Sequence, residues 1–439
     1  MGPEVVFYSL AMLLTLVLLG VHIGIALGVA SVIGVYLSYG DVNIALSILG
    51  STAYDAIRSH ALAVIPLFML MGEIISRSGA AGDLYLVCDR AMRRLPGRLA
   101  AATVVGNAAF AAVSGVAIAS AATFSRIAYP EMRRLGYGKG YALGVIAGSG
   151  CLGMLIPPSV LLIVWAILTE GSVGALFIGA VVPGLLLGIT FVAYCVIAAI
   201  RNPSLAPPAD RGHDEQRDPG EGRAELISGL GIIALIFIVL GGIWLGVFTP
   251  TEAAGFGALG SIVVGWAKGM RWKGFMEAIY DAGRSTAPIM FLLIAGSMYS
   301  RLLAVSGGIN MIQDLFAGSG LSLVGILLIM TVVWLILGAL IDSISVILMT
   351  VPIFVPIAVA AGLDEIAFAI YGILIIEAGL LTPPMGLLIF TVKAAVPDPS
   401  VTLAETFRGS VPYWIMMLGV AVLLLLVPGL ATWLPGLML

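Results

Sequence analysis

The stretch Gly153–Ser159 (GMLIPPS) returns 226 residues later as Gly379–Gly386 (GLLTPPMG), each time inside a long apolar segment. A Pro-Pro pair breaks a helix because proline has no N–H with which to bond the carbonyl four residues earlier. The first proline of each pair therefore deprives the carbonyl of Gly153 or Gly379 of its usual partner. A broken helix at membrane depth usually lines a cavity or holds an ion, so two matched breaks indicate a transporter.

The composition indicates a polytopic membrane protein. The chain is 60% hydrophobic and 10% charged, and its mean hydropathy is +1.12, far from the usage of soluble domains. Apolar segments lie near residues 5–20, 22–38, 60–76, 99–129, 139–168, 173–200, 226–247, 251–267, 285–305, 322–360, 364–392 and 411–434. The predicted fold class is therefore an all-α polytopic membrane protein with Pro-Pro broken helices.

Two of these segments, 99–129 and 322–360, are longer than the roughly 20 residues of a straight span. Each is either one kinked helix or a re-entrant hairpin that enters and leaves on one side. If both are hairpins and the N-terminus is outside, 19 of the 21 Lys and Arg residues fall in loops on one face. The positive-inside rule therefore favours ten spans and two re-entrant hairpins, with both termini on the periplasmic side.

The polar stretch 201–223 predicts a cytoplasmic linker between two similar halves. The GxxxSR motif, the hairpin interruption, the Pro-Pro pair and a later proline recur in the same order at offsets of 224 to 229 residues. The predicted topology gives the two copies opposite orientations, which is the inverted repeat of many secondary transporters. The predicted divisions are scaffold helices 1–60, a first repeat 61–200, the linker 201–223, scaffold helices 224–284 and a second repeat 285–439.

Each predicted hairpin has a polar interruption, Ser114-Gly115 in the first and Asp342-Ser343 in the second. A tip at the midplane presents helix ends, with positive N-termini and bare carbonyls, so these four residues are the candidate substrate site. Alternatively, Asp342 caps a helix end. The Ser114 hydroxyl could likewise donate a hydrogen bond to a backbone carbonyl of its own helix. Glu377, one turn before the second break, is either functional or structurally paired.

The sequence argues against enzyme activity. It contains no GxxxxGK[ST], HExxH or GxSxG motif, so coupling energy is expected from an ion gradient rather than from ATP. A stand-alone anion/sodium symporter or Na⁺/H⁺ antiporter of similar architecture is the main alternative function. A non-transporting scaffold is disfavoured by the duplicated Pro-Pro sites, and a channel would be distinguished by an ion flux far above carrier turnover.

The chain resembles the large membrane subunit (DctM-like) of tripartite ATP-independent periplasmic (TRAP) transporters over essentially its whole length. Five motifs carry the resemblance: Ile127–Tyr137 (IAYPEMRRLGY), Gly153–Ser159 (GMLIPPS), Ser172–Gly188 (SVGALFIGAVVPGLLLG), Leu337–Pro356 (LGALIDSISVILMTVPIFVP) and Glu377–Gly386 (EAGLLTPPMG). The resemblance implies a bacterial inner-membrane transporter with an elevator mechanism. Its substrate would be a small organic acid, and no nucleic-acid partner is expected.

The resemblance also implies sodium coupling through two sites. The first set of ligands by motif position is Ser114, Gly153, Ile156 and Pro158. The second set is Gly338, Gly379, Thr382 and Met385. Most of these residues would act through backbone carbonyls. Several family members carry more hydroxyl residues after the first tip than the Val116-Ala117 found here, so side-chain ligation is less expected at that site.

Two protein partners follow from the resemblance, namely a small four-helix membrane subunit and a soluble periplasmic substrate-binding protein. The sequence opens almost directly with its first apolar segment. We therefore expect the small subunit to be a separate chain rather than an N-terminal fusion.

Overall fold

The computed structural model describes residues 4–207, 219–318 and 320–438. The middle of the predicted linker, including His213, lies outside the described residues. In the first half the helices are α1 Val5–Leu18, α2 Ile23–Tyr39, α3 Val42–Arg58, α4 Val64–Arg77, α5 Ala80–Met92, α6 Arg98–Ser114, α7 Ala117–Arg134, α8 Lys139–Gly150, α9 Leu152–Leu155, α10 Val160–Leu168 and α11 Val173–Arg201.

The second half is also helical throughout its described residues. Its helices are α12 Pro219–Trp244, α13 Pro250–Ala267, α14 Trp272–Val305, α15 Gly308–Gly318, α16 Leu323–Leu340, α17 Ser343–Ala360, α18 Glu365–Gly379, α19 Leu387–Ala395, α20 Leu403–Leu426, α21 Gly429–Thr432 and α22 Pro435–Met438. Helix α12 begins inside the predicted linker, and α14 runs across the predicted division at residue 284.

The chain turns at both predicted interruptions. Gly115 ends α6 with a φ of 65°, a left-handed conformation that suits glycine, and α7 starts two residues later. Helix α16 ends at Leu340, and Asp342 starts α17 as its N-cap. We call residues 114–117 the first tip and residues 340–343 the second tip.

Both Pro-Pro pairs interrupt helices, and both Pro-Pro peptide bonds are cis. The first break covers residues 156–159, and the side chain of Ser159 caps the helix that follows by accepting from the Leu162 N–H. The second break covers residues 380–386 and ends at Gly386, which has a φ of 60°. The two broken helices lie side by side, with the Cys151 thiol 3.7 Å from the carbonyl oxygen of Glu377.

Helices of one half pack closely against helices of the other. A Cβ on Gly144 of α8 would lie 2.0 Å from the carbonyl oxygen of Gly409 in α20, so the two backbones touch at this pair of glycines. A Cβ on Gly179 of α11 would lie 2.5 Å from the side chain of Ile366 at the start of α18. Small residues permit this approach, as is usual between membrane helices.

Among the described residues, 7 helices are long and apolar enough to cross a membrane, and both arms of the second hairpin are among them. The sequence predicts a membrane span at each of α1 and α2, but these helices have only 14 and 17 residues. At 1.5 Å per residue each is shorter than a bilayer core of about 30 Å. The ten spans stay a prediction, because only 7 of the described helices are long and apolar enough to cross a membrane.

Three amphipathic helices lie outside the apolar segments that the sequence singled out. Only Ala45 and Leu49 of α3 are buried, so most of that helix is on the surface. Helix α5 bends away from α4 by 75°, and α15 connects α14 to the second hairpin. Their apolar residues recur at helical spacing rather than in a continuous run, which a search for long hydrophobic segments passes over.

Candidate functional site at the two tips and breaks

The first tip lies directly against the first break. The Val160 N–H donates to the carbonyl oxygen of Gly115 at 3.2 Å. A Cβ on Gly115 would lie 2.8 Å from the carbonyl oxygen of Pro158. Both the positive φ and this close approach require glycine at position 115.

The predicted ligands of the first cation site gather on this contact. A Cβ on Gly153 would come within 3.1 Å of the Ala117 backbone, so the broken helix touches the start of α7. The hydroxyl of Ser114 is buried at 3% exposure and has no hydrogen-bond partner among the described residues. Ile156 lies in the break, but its side chain faces Gly184 of α11.

The second tip and break repeat this arrangement. The N–H groups of Met385 and Gly386 both donate to the carbonyl oxygen of Ala339, at 3.2 Å and 3.1 Å. A Cβ on Gly379 would lie 2.9 Å from the Cα of Gly338, so these two backbones are in contact. Three of the four predicted ligands of the second cation site, at 338, 379 and 385, therefore lie on the tip–break contact.

The expectation that the Gly379 carbonyl is bare is wrong in this structure. It accepts the N–H of Thr382 at 2.9 Å and the hydroxyl of the same residue at 2.8 Å. Pro383 does remove the usual donor, but the tight turn before the proline supplies two others. A cation at this carbonyl would have to share or displace those donors.

Asp342 acts as a helix cap, the alternative that the sequence left open. Its Oδ1 accepts the Ser345 N–H at 3.0 Å, and its Oδ2 accepts the Ser345 hydroxyl. The neighbouring Ser343 donates its hydroxyl to Oε1 of Glu377 at 2.7 Å, which ties the second tip to α18. Glu377 is 1% exposed, and its Oε2 has no partner among the described residues.

A cavity of about 460 Å³ extends from both tips. It is lined by Met69, Gly72, Glu73, Ser76, Phe110, Ser114, Val116, Ile118, Ala119, Ala122, Thr123, Arg126, Met154, Ser285, Ile289, Asp342, Ser343, Ile344, Leu380 and Leu387. Three of the four residues predicted to bind substrate, Ser114, Asp342 and Ser343, thus face one space. Gly115 lies behind them, against Pro158.

Two further charged side chains lie on the cavity wall, Arg126, which the sequence did not single out, and Glu73, which we interpreted from sequence as structural. Arg126 lines the cavity, and no hydrogen bond or ion pair engages its guanidinium within the described part of the chain. Glu73 of α4 lines the same cavity. One face of α7 carries Ala119, Thr123 and Arg126 at the spacing i, i+4, i+7. Continuing the helix from the predicted tip along this face would have identified Arg126 from the sequence.

A buried polar network joins the first hairpin to the first broken helix. The Asn107 amide donates to the Ser149 hydroxyl at 2.6 Å and accepts from the Ser120 hydroxyl at 2.9 Å. All three residues are fully buried. The network accounts for polar side chains that lie within apolar segments, and it fixes both arms of the hairpin to α8.

No group of three or more His, Cys, Asp or Glu in the described residues could hold a metal ion. A cation bound at either break would therefore be coordinated mainly by carbonyl and hydroxyl oxygens. Hard monovalent cations accept such ligands, and helix N-termini at the tips favour anions. The arrangement can thus hold a cation beside an organic anion.

The model of the family "Tripartite ATP-independent periplasmic transporter, DctM component" matches residues 10–430. A C4-dicarboxylate TRAP transporter large permease protein of Pseudomonas aeruginosa is 33% identical over 386 residues, covering 87% of this chain and 88% of that protein. An ectoine/5-hydroxyectoine TRAP transporter large permease protein of Ruegeria pomeroyi is 30% identical over 96% of each chain. The crystal structure of the Alcanivorax borkumensis YdaH transporter matches 91% of this chain and 90% of its own with a TM-score of 0.65 at 14% identity, a likeness of fold.

Proposed function

This chain belongs to the DctM component family of tripartite ATP-independent periplasmic transporters, and from that premise we propose that it takes up a small organic acid with sodium ions. One observation carries the proposal. Each tip is in backbone contact with one Pro-Pro break, and both tips face the same cavity through Ser114 and Asp342. Relatives named for C4-dicarboxylate and ectoine transport support a small polar substrate.

The two breaks are the proposed sodium sites. Carbonyl oxygens of Gly153, Ile156 and Pro158 with the Ser114 hydroxyl would form the first. Those of Gly338, Gly379 and Met385 with Thr382 would form the second. The unpaired hydroxyl of Ser114 and the close backbone contact between Gly338 and Gly379 support this assignment. In each site the ion would hold a tip against a break, which links ion binding to the shape of the substrate cavity.

We propose that the hairpins and broken helices move together as the transport domain of an elevator, and that the remaining helices form its scaffold. The cavity runs along α7 from the first tip to Arg126, about 15 Å for ten helical residues. Arg126 belongs to the basic face that the positive-inside rule places in the cytoplasm. The structure would then represent the inward-facing state from which substrate is released.

Two partners complete the proposed transporter. A periplasmic binding protein would deliver the organic acid, and a small four-helix membrane subunit would enlarge the scaffold. Many large apolar side chains are exposed on the surface of this chain. Such a surface suits contact with lipid or with the helices of a partner subunit.

Reconstituted vesicles test the proposal. The chain and its membrane partner are placed in liposomes, and uptake of radiolabelled organic acid is measured with an inward sodium gradient, with and without the binding protein. We expect uptake only when both are present. Equal uptake with potassium in place of sodium would contradict sodium coupling, and uptake without the binding protein would favour the stand-alone carrier.

A further inference from the structure

One face of α13 carries a ridge of large apolar side chains. They recur at the spacing i, i+3, i+7, i+10 and are about half exposed or more, namely Phe256, Leu259, Val263 and Trp266. A small residue of the helix faces inwards, since a Cβ on Gly257 would lie 2.6 Å from a side chain of α4. The four side chains, which we call the α13 ridge, therefore project away from the chain over about 15 Å.

The size of these side chains favours lipid over a partner helix as the neighbour of the ridge. Interfaces between membrane helices are enriched in small residues, which let two backbones approach closely. In α13 such residues serve the packing within this chain, since a Cβ on Gly260 would lie 2.4 Å from the side chain of Leu235 in α12. The outward side instead has a large side chain at each ridge position, a convex surface around which acyl chains fit.

The ridge ends at a basic turn. Helix α13 has 18 residues and is about 27 Å long, so it reaches the far side of a bilayer core of about 30 Å near Trp266. Arg271, Trp272 and Lys273 follow soon after and are all exposed. The positive-inside rule assigns this loop to the cytoplasmic face. We call residues 266–273 the basic turn.

The acidic side chains nearest the basic turn in the structure are already paired. Lys268 forms an ion pair of 2.6 Å with a buried aspartate of α5. Glu277, one turn into α14, forms an ion pair of 2.8 Å with Arg77 of α4. No ion pair engages Arg271 or Lys273 within the described part of the chain. Two positive charges therefore lie uncompensated at the end of the ridge.

Two tryptophans mark the boundary between the ridge and these charges. Trp266 is 56% exposed and Trp272 is 68% exposed. Both rings pack on Phe275, with ring centroids 6.4 Å and 5.5 Å apart. Tryptophan concentrates at the level of lipid headgroups because its ring is apolar and its N–H is polar. Their position therefore fits the glycerol region of a phospholipid.

We propose that the α13 ridge and the basic turn bind an anionic phospholipid. An acyl chain lies along the ridge, the glycerol region lies at the two tryptophans, and the phosphate is held by Arg271 and Lys273. Charge complementarity selects the lipid, because a zwitterionic headgroup brings a cation of its own. Each Lys or Arg near an anionic membrane surface contributes about fivefold in affinity, so the pair gives about 25-fold.

The bound lipid would anchor the scaffold in one leaflet. The basic turn joins α13 to α14, and the ion pair of Lys268 extends the connection to α5. None of the ridge or turn residues lines the cavity at the two tips. The inference therefore goes beyond the proposed function and does not depend on which substrate is carried.

Native mass spectrometry of the purified protein, with any membrane subunit that co-purifies, tests the proposal. The probes are dioleoyl phosphatidylglycerol, dioleoyl phosphatidylcholine and inorganic phosphate. We expect the wild type to bind phosphatidylglycerol about 25-fold more tightly than phosphatidylcholine, and inorganic phosphate not to displace it, because it has no acyl chain for the ridge. Equal affinity for the two lipids, or displacement by inorganic phosphate, would overturn the proposal.

Two double variants locate the charge effect. Arg271→Gln with Lys273→Gln should weaken phosphatidylglycerol about 25-fold and leave phosphatidylcholine unchanged. The matched control is Arg93→Gln with Arg94→Gln, which removes two exposed cations from the same predicted face. Among the described residues, no large apolar side chain is exposed between positions 58 and 117, so the control lacks a ridge. An equal loss of phosphatidylglycerol binding in both double variants, or in neither, would contradict the proposal.

A third variant tests the apolar part of the site. Trp266→Ala should weaken both lipids about tenfold, whereas Tyr8→Ala, which removes a similarly exposed ring from α1, should weaken neither. Wild-type lipid affinity in Trp266→Ala would exclude the ridge from the site. Release of bound phosphatidylglycerol on addition of the membrane subunit would show that the subunit covers the ridge, and it would overturn the proposal.

Discussion

Replacing Gly379 by alanine perturbs the contact between the second tip and the second break most directly. The new methyl group would lie 2.9 Å from the Cα of Gly338, 3.0 Å from its carbonyl carbon and 3.2 Å from the nitrogen of Ala339. All three neighbours are backbone atoms, so no side chain can rotate away. The tip and the break would have to separate by about half an ångström to restore van der Waals distance.

The separation has a cost that can be worked from the structure. Overpacking a close contact by one methyl group costs about 1–3 kcal/mol. The bonds from Met385 and Gly386 to Ala339, at 3.2 Å and 3.1 Å, would lengthen beyond good hydrogen-bond geometry. If sodium binds only the closed contact, a cost of about 1–3 kcal/mol weakens its binding about 5- to 150-fold.

Sodium-dependent thermal stabilisation measures this effect. The purified protein is heated at increasing NaCl, with choline chloride holding the ionic strength constant, and the NaCl concentration for half-maximal stabilisation is read out. Gly419→Ala is the matched control, because Gly419 lies in α20 with no heavy atom within 4 Å of its added Cβ. The control should keep the wild-type sodium dependence and be slightly more stable, by about 0.5–1 kcal/mol.

A folded Gly379→Ala protein with the wild-type sodium dependence would contradict this prediction. That result would mean that the tip–break contact does not form part of the second sodium site. A uniform loss of stability with and without sodium would likewise show that the contact is structural only.

Three further predictions address other parts of the fold. Gly72→Ala places a methyl group 2.8 Å from the Cα of Ser114, a proposed sodium ligand, so we expect slower initial uptake together with weaker sodium-dependent thermal stabilisation. Glu377→Ala leaves the buried Ser343 hydroxyl without its acceptor and should lower the free energy of unfolding by about 1–3 kcal/mol, whereas Glu377→Gln should retain most of it. Hydrogen bonds from the Ser400 hydroxyl, the Tyr129 hydroxyl and the Ser400 N–H lower the pKa of Asp398 to about 2. They stabilise the fold above the ordinary carboxyl pKa, and this stabilisation is lost as the pH falls from there toward about 2. Thermal unfolding between about pH 7 and pH 2 should therefore show a weaker acid dependence in Asp398→Asn.

The breaks and tips could be located from sequence because their causes are local. A missing proline N–H interrupts a helix whatever surrounds it, and the structure interrupts helices at 156–159 and 380–386. Gly115 and Asp342 likewise mark helix ends through local chemistry, a left-handed glycine and a capping carboxylate.

What lay beyond the sequence depends on packing. The N–H and the hydroxyl of Thr382 both donate to the Gly379 carbonyl oxygen. The missing proline N–H predicts that one donor is lost, but it does not predict the turn that supplies these two. The exposure of Arg126 to the cavity depends on which face of α7 turns away from α6 and α8, and apolar content alone leaves that open. The surface helix α3 was missed because its burial is limited to two residues.

Sodium entry during substrate uptake tests the central claim most directly. Radioactive sodium and labelled organic acid are measured in the same vesicles, in the presence of the binding protein. With one ion in each of the two tip–break sites, sodium should enter only together with substrate, at about two ions per molecule. Substrate accumulation without accompanying sodium entry would contradict the claim that these sites couple sodium to transport.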